Sequence, residues 1–591
     1  MASFGSRSFS ALWASMPPGP HLLWLQRSLW STTAAVCTSQ PCGVVVMQRA
    51  ATMGPSKQPN AAARSGLQDQ LSAYRQNLCK SRSCGSLDVM QSRFDPFTNR
   101  AGSSFHSSGC RGITNAVEFL DSLTNYEHTG VPADAGTGGS DGFPLDRVRA
   151  LLSRMGDPHL KLKFVHITGS KGKGTVAHFI ASVLKESGLA VGLYTSPHVV
   201  SVEERICMDG EAIKANELND LVAQNRSAIE ACQASEKGRL TYFEVLTALA
   251  FKHFVDRQAD IVVTEVGLGG TTDATNVIEA NGLVAAVLTP IDSEHLQALG
   301  GTIESVAGAK AGIMKAGRPA VLAEQPNPDV LRVLEARAAE LGCKITHAKR
   351  DVAVRRTPPS SSHSTSPSID VDFNGVKVAN VALRMKGAHQ DSNVATALCA
   401  VDEVWQFLQG GGSVSLDDHV LKDATRKGLE AVQLPGRFQV VQDHQDLEAP
   451  WVVLDGAHTA ASAAALVHTL RSEFPSQPLG LIVAMAAEKD HVGVIRHLVQ
   501  LQPDIVVFTA APIGGSYERS APPGTLAGTW DIAEGGVSGR RKRKRKMVQN
   551  SVGSALAKAR HELWVRNAVI CVTGSFYAVS EAIKVLETLP G

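Results

Sequence analysis

The sequence FVHITGSKGKGT, residues 164–175, decides how the rest of the chain is interpreted. Its apolar first half gives way to a glycine-rich turn, and an apolar-periodic helix pattern follows, so the stretch predicts a strand, a loop and a helix. Gly169, Gly172 and Gly174 permit positive φ angles and leave backbone N–H groups unpaired at a helix N-terminus. Phosphate binds favourably at such a terminus, and the stretch therefore predicts a phosphate-binding loop.

Lys173 and Thr175 supply the polar side chains of this loop. The lysine adds a positive charge over the β- and γ-phosphates of a nucleotide, and the threonine adds a hydroxyl for phosphate or metal. The strict Walker pattern has the hydroxyl directly after the lysine, whereas here Gly174 intervenes. For this stretch taken alone, a glycine- and lysine-containing turn without a ligand stays open as the alternative.

Length and composition exclude several classes of protein. The chain has 591 residues, 43% of them hydrophobic, and a formal net charge of +2. That length suggests about three or four domains. A net charge close to zero argues against bulk nucleic-acid binding, and no apolar run reaches the roughly 18 residues of a transmembrane helix. The ten cysteines are scattered without a CxxC pair, which favours free thiols over a disulfide framework or a zinc site.

The first hundred residues differ in kind from the rest. Residues 1–50 contain no Asp or Glu but carry Arg7, Arg27 and Arg49 among many serines. An acid-poor, serine-rich and arginine-bearing leader is typical of an organelle transit peptide. An unstructured cytosolic extension is the other interpretation, and in either case the leader contributes nothing to the fold prediction.

Two strand patterns end in oxygen-bearing side chains. Residues 190–194 predict a strand that leads to Ser196, where Pro197 forbids helix and leaves the hydroxyl on an extended turn. Ile261–Glu265 is a buried-strand pattern that ends in a carboxylate. Open α/β sheets bind ligands at the carboxyl ends of their strands, and such oxygens suit Mg²⁺. Taken alone, a Ser-Pro-His segment is more often a turn than a metal ligand, and a glutamate at a strand end is merely solvated in about half of cases.

A third strand pattern, residues 284–289, leads into His295, and Lys310 is predicted at the start of the next helix. Three strands that end near Ser196, Glu265 and His295 place two oxygen ligands and an imidazole at one edge of a sheet. The phosphate-binding loop lies at the same edge. The convergence predicts one nucleotide and metal site.

The chain also contains a series of motifs that occur together in one family. In chain order they are TNYE (124–127), HITGSKGKGT (166–175), YTSPH (194–198), EVGLGGTTDATNVI (265–278), AKAGI (309–313), GAHQxxN (387–393), LPGRF (434–438), LDGAH (454–458), KDH (489–491) and VTGSFY (572–577). Through these motifs, over residues 115–591, the chain resembles the folylpolyglutamate synthase and dihydrofolate synthase family of the Mur-ligase superfamily. The likeness is greatest to the plant-type dihydrofolate synthases.

The resemblance implies an α/β fold in three parts. Residues 1–111 are expected to be an organellar transit peptide and disordered leader. Residues 112–432 are expected to form an ATP-binding, Mur-ligase-like P-loop domain with a mainly parallel sheet. Residues 433–591 are expected to form a smaller, Rossmann-like α/β domain, the C-terminal glutamate-ligase domain. The strand–helix alternation after residue 450 independently predicts a second α/β domain.

The resemblance also implies the roles of individual residues. The expected ATP contacts are Gly172, Lys173, Gly174, Thr175, Asn393, Arg437 and Asp455. The expected Mg²⁺ ligands are Ser196, Glu265 and His295. The expected catalytic residues are Lys173, His295 and Lys310. The lysine that matches Lys310 is carbamylated in bacterial relatives, which turns it into a further carboxylate ligand.

The implied activity is an ATP-dependent amide ligase of folate biosynthesis. It joins L-glutamate to 7,8-dihydropteroate through an acyl phosphate and releases ADP and phosphate. A folylpolyglutamate synthase, or a bifunctional enzyme that adds glutamates to tetrahydrofolate, is the alternative. A P-loop ATPase that only hydrolyses ATP is a further class, but it has no need of Arg437 or of the LDGAH strand.

The expected partners are therefore small molecules: ATP, L-glutamate, and dihydropteroate or a reduced folate. Neither nucleic acid nor a membrane is expected as a partner, and the protein is expected to be a monomer. The relatives that it resembles act in mitochondria, so we expect a mitochondrial location, with the plastid or the cytosol as alternatives.

The expected ATP contacts are divided between two domains. Lys173 and Thr175 belong to the central domain, whereas Arg437 and Asp455 lie at or beyond the linker that follows it, so no single rigid domain holds all four on one nucleotide. Acyl phosphates hydrolyse readily, which favours a site that closes around them. We expect closure on substrate binding, with residues 433–436 absorbing the backbone change.

Two segments lie outside this scheme. Residues 355–368, RRTPPSSSHSTSPS, are Ser/Pro-rich and predict a disordered surface loop. Residues 540–546, RRKRKRK, predict a solvated loop, with a nuclear signal or a nucleic-acid patch as the alternatives.

Overall fold

The computed structural model describes residues 115–588, apart from 133–134, 137–142, 237–238, 358–367, 411–417, 443–448, 536–544 and 566. The predicted transit peptide, residues 1–111, lies outside the described residues. So do residues 358–367 of the Ser/Pro-rich segment and residues 540–544 of the basic run.

The helices alternate with the strands along the described chain. Their bounds are α1 Ala116–Asp121, α2 Tyr126–Thr129, α3 Leu145–Arg154, α4 Lys173–Glu186, α5 Ala215–Ser235, α6 Tyr242–Asp256, α7 Ile303–Ala311, α8 Pro328–Glu340, α9 Ala348–Asp351, α10 His389–Gln409, α11 Asp418–Ala431, α12 Ala460–Glu473, α13 His491–Leu498, α14 Pro523–Gly535, α15 Val552–Glu562 and α16 Phe576–Thr588. No helix among the described residues is both long and apolar enough to cross a membrane.

The strands are short and mostly buried. Their bounds are β1 Phe164–Thr168, β2 Val191–Tyr194, β3 Ile206–Met208, β4 Glu211–Ala212, β5 Ile261–Glu265, β6 Leu283–Leu288, β7 Ala320–Leu322, β8 Ile345–His347, β9 Val352–Thr357, β10 Ser368–Phe373, β11 Val376–Val381, β12 Gln439–Val441, β13 Trp451–Leu454, β14 Leu479–Val483, β15 Ile505–Phe508, β16 Arg545–Val548 and β17 Val569–Thr573.

The first large sheet has the order β4-β3-β2-β5-β1-β6-β7-β8 among the described strands. Strands β2, β5, β1, β6, β7 and β8 run parallel, and β3 and β4 add an antiparallel edge. The four central strands, β2, β5, β1 and β6, therefore end at the same edge. This order explains why segments far apart in the sequence meet there.

Both faces of this sheet are buried, as parallel sheets require. Along β1, Phe164 packs into one hydrophobic cluster, whereas Val165 and Ile167 pack into the cluster on the opposite face. The first cluster includes Phe251 and Phe254 of α6, and the second includes residues of α4, α10 and α11. A small antiparallel sheet, β11-β10-β9, extends the second cluster.

A second α/β unit follows in the chain. Its sheet has the order β12-β13-β17-β14-β15-β16 among the described strands, and all pairings are parallel except that of β12 with β13. We call residues 115–432 the N-terminal lobe and residues 433–588 the C-terminal lobe. The predicted boundary between residues 432 and 433 stays a prediction. It falls between α11 and β12.

Three local predictions are wrong. Lys310 lies in the last turn of α7 and not at a helix start, because Thr302 and Ser305 form a capping box that begins the helix upstream. Residues 355–357 and 368, at the ends of the predicted disordered loop, belong to the paired strands β9 and β10.

The predicted solvated loop at 540–546 is the third case. Its last two residues, Arg545 and Lys546, open strand β16, which pairs in parallel with β15 at the edge of the sheet. Their charges are accommodated because Arg545 pairs with Glu562 and Lys546 pairs with Asp531. The last two residues of the run can therefore open an edge strand because acidic residues on neighbouring helices pair with them.

Candidate active site

The phosphate-binding loop has the predicted strand–loop–helix form. It follows β1, and helix α4 begins at Lys173 with Gly172 in the left-handed conformation (φ 84°) at its N-terminus. Gly169 also has a positive φ (146°), and a Cβ there would lie 1.9 Å from Thr289 Oγ1. The turn therefore requires glycine at both positions. Thr175 is buried in the first turn of the helix.

Asn393, on helix α10, lies against this loop. Its Oδ1 atom occupies the space beside Gly172, where an added Cβ would lie 2.5 Å from it. Its Nδ2 atom donates a hydrogen bond to Gln390 Oε1 over 2.8 Å, which holds the carboxamide in one orientation. The structure thus brings this predicted nucleotide ligand to the loop from a distant part of the N-terminal lobe.

Glu265 lies between the loop and the turn at Ser196. Its Oε1 atom is 3.7 Å from Lys173 Nζ, and its Oε2 atom accepts a hydrogen bond from the Ser196 backbone N–H over 3.2 Å. Gly174 leaves room for the carboxylate, since a Cβ there would lie 3.3 Å from Oε2. Burial raises the pKa of Glu265 above its ordinary value, and the positive charge of Lys173 opposes that rise.

This donor set fits Mg²⁺. The ion takes oxygen ligands, is held by one or two carboxylates and keeps several waters and substrate phosphate oxygens. Glu265 and the Ser196 hydroxyl supply protein oxygens beside the phosphate-binding loop. The described residues contain no group of three His, Cys, Asp or Glu side chains that could enclose a metal ion. A site that nucleotide and water complete needs no such group.

His295 lies in the wall of the same cleft. It has a left-handed backbone conformation (φ 57°) at the start of a 3-10 turn after β6, and its side chain is exposed to the cleft. In the part of the chain that the structure describes, no hydrogen bond joins it to Glu265 or Ser196. The structure therefore brings Ser196 and Glu265 into contact and places His295 in the wall of the same cleft.

Lys310 lies behind the phosphate-binding loop. The residue is buried, and its Nζ atom donates a hydrogen bond to the carbonyl oxygen of Gly169 over 2.9 Å. Burial, together with the neighbouring positive charge of Lys173, lowers the pKa of Lys310 to about 7. A large fraction of this amine is therefore neutral and nucleophilic near neutral pH.

Arg437 and Asp455 reach the cleft from the C-terminal lobe. The Arg437 guanidinium carbon lies 4.3 Å from the centre of the Phe576 ring, which orients the planar group. Asp455 accepts hydrogen bonds from the backbone N–H groups of Phe438 and Ala457 over 2.9 and 3.0 Å. Desolvation at this half-buried position raises the pKa of Asp455 to about 6, and Arg437 opposes the rise. The carboxylate is therefore mainly ionised at neutral pH.

The site residues predicted from the sequence, except Lys310, line one cavity of about 1720 Å³ between the two lobes. Lys173, Glu265 and Asn393 come from the N-terminal lobe, and Arg437 and Asp455 come from the C-terminal lobe. The cavity is large enough for a nucleotide together with further substrates, since ligand pockets usually measure about 300–1,000 Å³.

Several charged groups of the cavity were not singled out from the sequence. Lys171 pairs with Glu294, and Arg205 pairs with Glu127. Glu127 belongs to the TNYE motif, so that motif was the available signal for it. The partners could not be paired from the sequence, because each ion pair joins segments that only the folded chain brings together.

Comparisons with known proteins agree with this geometry. Residues 167–401 match the family model described as the Mur ligase middle domain, and residues 438–585 match the dihydrofolate synthetase C-terminal domain. The two matches correspond to the two lobes that border the cavity.

Individual relatives match over most of their length. The chain is 32% identical over 451 residues to the folylpolyglutamate synthase of Lacticaseibacillus casei, covering 75% of this chain and 94% of that protein. It is 29% identical over 447 residues to the dihydrofolate synthase/folylpolyglutamate synthase of Bacillus subtilis, covering 75% and 95%. The crystal structure of Mycobacterium tuberculosis folylpolyglutamate synthase complexed with ADP and AMPPCP superposes with a TM-score of 0.65 at 29% identity, covering 76% of this chain and 96% of that one. The predicted fold class is confirmed.

Proposed function

Because the chain belongs to the folylpolyglutamate synthase and dihydrofolate synthase family of Mur ligases, we propose that it joins L-glutamate to 7,8-dihydropteroate at the expense of ATP. The coarser activity, an ATP-dependent ligase that forms a carbon–nitrogen bond, follows from the family itself. The match of the C-terminal lobe to a dihydrofolate synthetase domain supports dihydropteroate as the acceptor.

One observation carries the proposal: charged groups from both lobes line a single cavity. A ligase needs its nucleotide, its acceptor and its amine in one enclosed space, because an acyl phosphate is lost to water otherwise. A hydrolase that only cleaves ATP has no need of a second lobe that places Arg437 and Asp455 opposite the phosphate-binding loop.

The first step transfers the γ-phosphoryl group to the acceptor. A carboxylate oxygen of dihydropteroate attacks the γ-phosphorus, the bond to the β–γ bridging oxygen breaks, and ADP leaves. Lys173 and the backbone N–H groups of the loop stabilise the charge that moves onto that oxygen. Arg437 supplies a second cation from the opposite lobe.

In the second step the glutamate α-amine attacks the acyl carbon. The C–N bond forms, the bond from the acyl carbon to the phosphate oxygen breaks, and the amine loses a proton as inorganic phosphate departs. The lobes exclude water and orient the two substrates during this step. Glu265 and Ser196 would hold Mg²⁺, which neutralises phosphate charge when bound, and His295 is the further proposed ligand.

The test is a substrate assay on the purified full chain with ATP, Mg²⁺ and L-glutamate. Dihydropteroate carrying ¹⁸O in its carboxylate is one acceptor, and tetrahydrofolate is the other. We expect dihydrofolate from the first, with one ¹⁸O atom transferred to the released phosphate, because the acyl phosphate bridges through that atom. Mass spectrometry identifies the ligated product and the ¹⁸O content of the released phosphate.

Lys173→Ala is the matched control, since it removes the loop cation and leaves the apolar core untouched. It should abolish the ¹⁸O transfer and lower ligation by about 10²-fold or more. If glutamate is joined to tetrahydrofolate and not to dihydropteroate, the protein has the alternative activity, that of a folylpolyglutamate synthase. ATP hydrolysis without transfer of ¹⁸O would overturn the ligase proposal.

A further inference from the structure

Arg519 lines the cavity and makes a polar contact between the lobes. Its Nη1 atom donates hydrogen bonds to the carbonyl oxygens of Glu127, over 3.3 Å, and of His128. Its Nη2 atom donates to Glu488 Oε1 within the C-terminal lobe over 2.6 Å. The Arg519 backbone is anchored as well, because its carbonyl accepts from the Ala487 N–H over 2.8 Å.

The turn that Arg519 contacts carries a second ion pair, between Glu127 and the buried Arg205. The Glu127 carboxylate accepts two hydrogen bonds from Arg205, over 2.8 and 2.5 Å. Arg205 is fully buried and also donates through Nε to His198 Nδ1 over 2.9 Å. Because the planar guanidinium presents a fixed fork of donors, Arg205 links the Glu127 carboxylate to the His198 ring.

His198 lies two residues after Ser196, in the turn that carries the proposed metal ligand. The same turn is held at its other end, where the backbone N–H groups of Val199 and Val200 donate to the Glu204 carboxylate over 2.8 Å each. The two valine side chains pack against a hydrophobic cluster of the C-terminal lobe. The turn therefore touches both lobes.

We propose that Arg519 is a positioning residue that couples docking of the C-terminal lobe to the placement of the Ser196 turn. Arg519 donates hydrogen bonds to the backbone of the Glu127–His128 turn. The Glu127 carboxylate pairs with Arg205, and Arg205 in turn donates to the His198 ring. This inference rests on the proposed function for its catalytic consequence, since Ser196 matters only if it binds the metal of the ligase reaction. The mechanical coupling itself is independent of which substrates are joined.

The test is hydrogen exchange of the full chain in the presence of AMPPCP and Mg²⁺. In Arg519→Ala we expect amides 126–129 and amides 198–205 to exchange about three- to tenfold faster than in the unmodified protein. Arg519→Lys keeps the positive charge but not the forked arrangement of donors. Its exchange rates at these amides should lie between those of Arg519→Ala and those of the unmodified protein. The matched control is Arg471→Ala, which removes a contact of an arginine with a carbonyl, that of Gln500, inside the C-terminal lobe.

A second variant interrupts the coupling further along. Glu127→Gln removes the charge that pairs with Arg205 but keeps the backbone carbonyl that Arg519 contacts. Amides 198–205 should therefore exchange faster, while amides 126–129 stay protected. Thermal melts identify any variant that is simply unfolded. The coupling would be overturned if Arg519→Ala speeds exchange at amides 126–129 but leaves amides 198–205 unchanged. It would also be overturned if Arg471→Ala speeds exchange at both sets of amides to the same extent.

Activity supplies an independent readout. If Ser196 binds Mg²⁺ for ligation, Arg519→Ala should raise the Mg²⁺ concentration needed for half-maximal activity several-fold, with a smaller change in the KM for glutamate. Failure of the unmodified protein to ligate glutamate would refute the proposed function and leave the exchange result valid. Coupled exchange with an unchanged Mg²⁺ requirement would overturn the positioning role.

Discussion

Lys310 illustrates what a single buried residue contributes. Its amine donates to the Gly169 carbonyl directly behind the phosphate-binding loop, and burial lowers its pKa to about 7. Carbamate formation requires the neutral amine, which predominates as the pH rises through about 7. With ¹³C-bicarbonate we therefore predict a protein carbamate signal in ¹³C NMR that grows between about pH 6 and 8 and disappears on acidification.

Lys310→Gln is the control for this experiment. It keeps a polar side chain of similar length but has no amine, so the carbamate signal should be lost. A signal of equal size in Lys310→Gln would assign the carbamate to another lysine. No signal in the unmodified protein at pH 8 would contradict the prediction.

Glu265 carries a second prediction at the residue scale. Glu265→Gln keeps the size of the side chain and removes the charge that faces Lys173 at 3.7 Å. If this carboxylate holds Mg²⁺, ligation should fall by at least about tenfold and recover in part when Mg²⁺ is raised. The control is Glu186→Gln at the exposed far end of α4. Unchanged Mg²⁺ dependence in Glu265→Gln would make the carboxylate structural.

At the scale of elements, α4 is placed by its contact with α11. Gly428 on α11 lies against the backbone of α4, and a Cβ there would lie 2.5 Å from the Cα of Val183. Gly428→Ala must therefore separate the two helices, and we expect the shift of α4 to disturb the phosphate-binding loop at its start. We predict a loss of stability of about 1–3 kcal/mol, measured as a lower thermal midpoint, together with weaker AMPPCP binding.

Gly528→Ala on α14 is the matched control. A Cβ at that position meets no described atom within 4 Å, so alanine should stabilise the helix by about 0.5–1 kcal/mol. If Gly428→Ala and Gly528→Ala lower the stability equally, the close contact between α11 and α4 does not explain the loss at Gly428.

At the scale of the whole molecule, the lobes also meet through Lys386 and Glu473, whose side chains are 3.6 Å apart and about four-fifths buried. Lys386→Glu places like charges across this contact and should weaken AMPPCP binding about fivefold, corresponding to roughly 1 kcal/mol. The double variant Lys386→Glu/Glu473→Lys restores opposite charges and should recover most of the affinity. Binding is measured by titration calorimetry.

Ionic strength provides the check on this electrostatic explanation. The difference between the single variant and the unmodified protein should shrink as salt is raised to about 0.5 M, because salt screens partly exposed charges. A defect that salt leaves unchanged, or that the double variant does not correct, would indicate altered packing instead of charge.

The order of the structural elements and the chemistry of the phosphate-binding loop follow from local sequence patterns. Glycine spacing and apolar periodicity are local properties, so the strand, turn and helix at residues 164–175 and the carboxylate that ends β5 were predictable. The same local reasoning misplaced Lys310 and the end of the basic run, because a capping box upstream and acidic partners on neighbouring helices decided those positions.

Which of these groups lie close together depends on the folding of the whole chain. The neighbouring order of β2, β5, β1 and β6 brings Ser196 and Glu265 to the phosphate-binding loop, and strand order is not written in any local pattern. The pairing of Glu127 with Arg205, and the contact of Arg519 with that turn, depend on how the lobes pack. Such contacts join side chains that are distant in the sequence, and their geometry follows from packing of the whole chain.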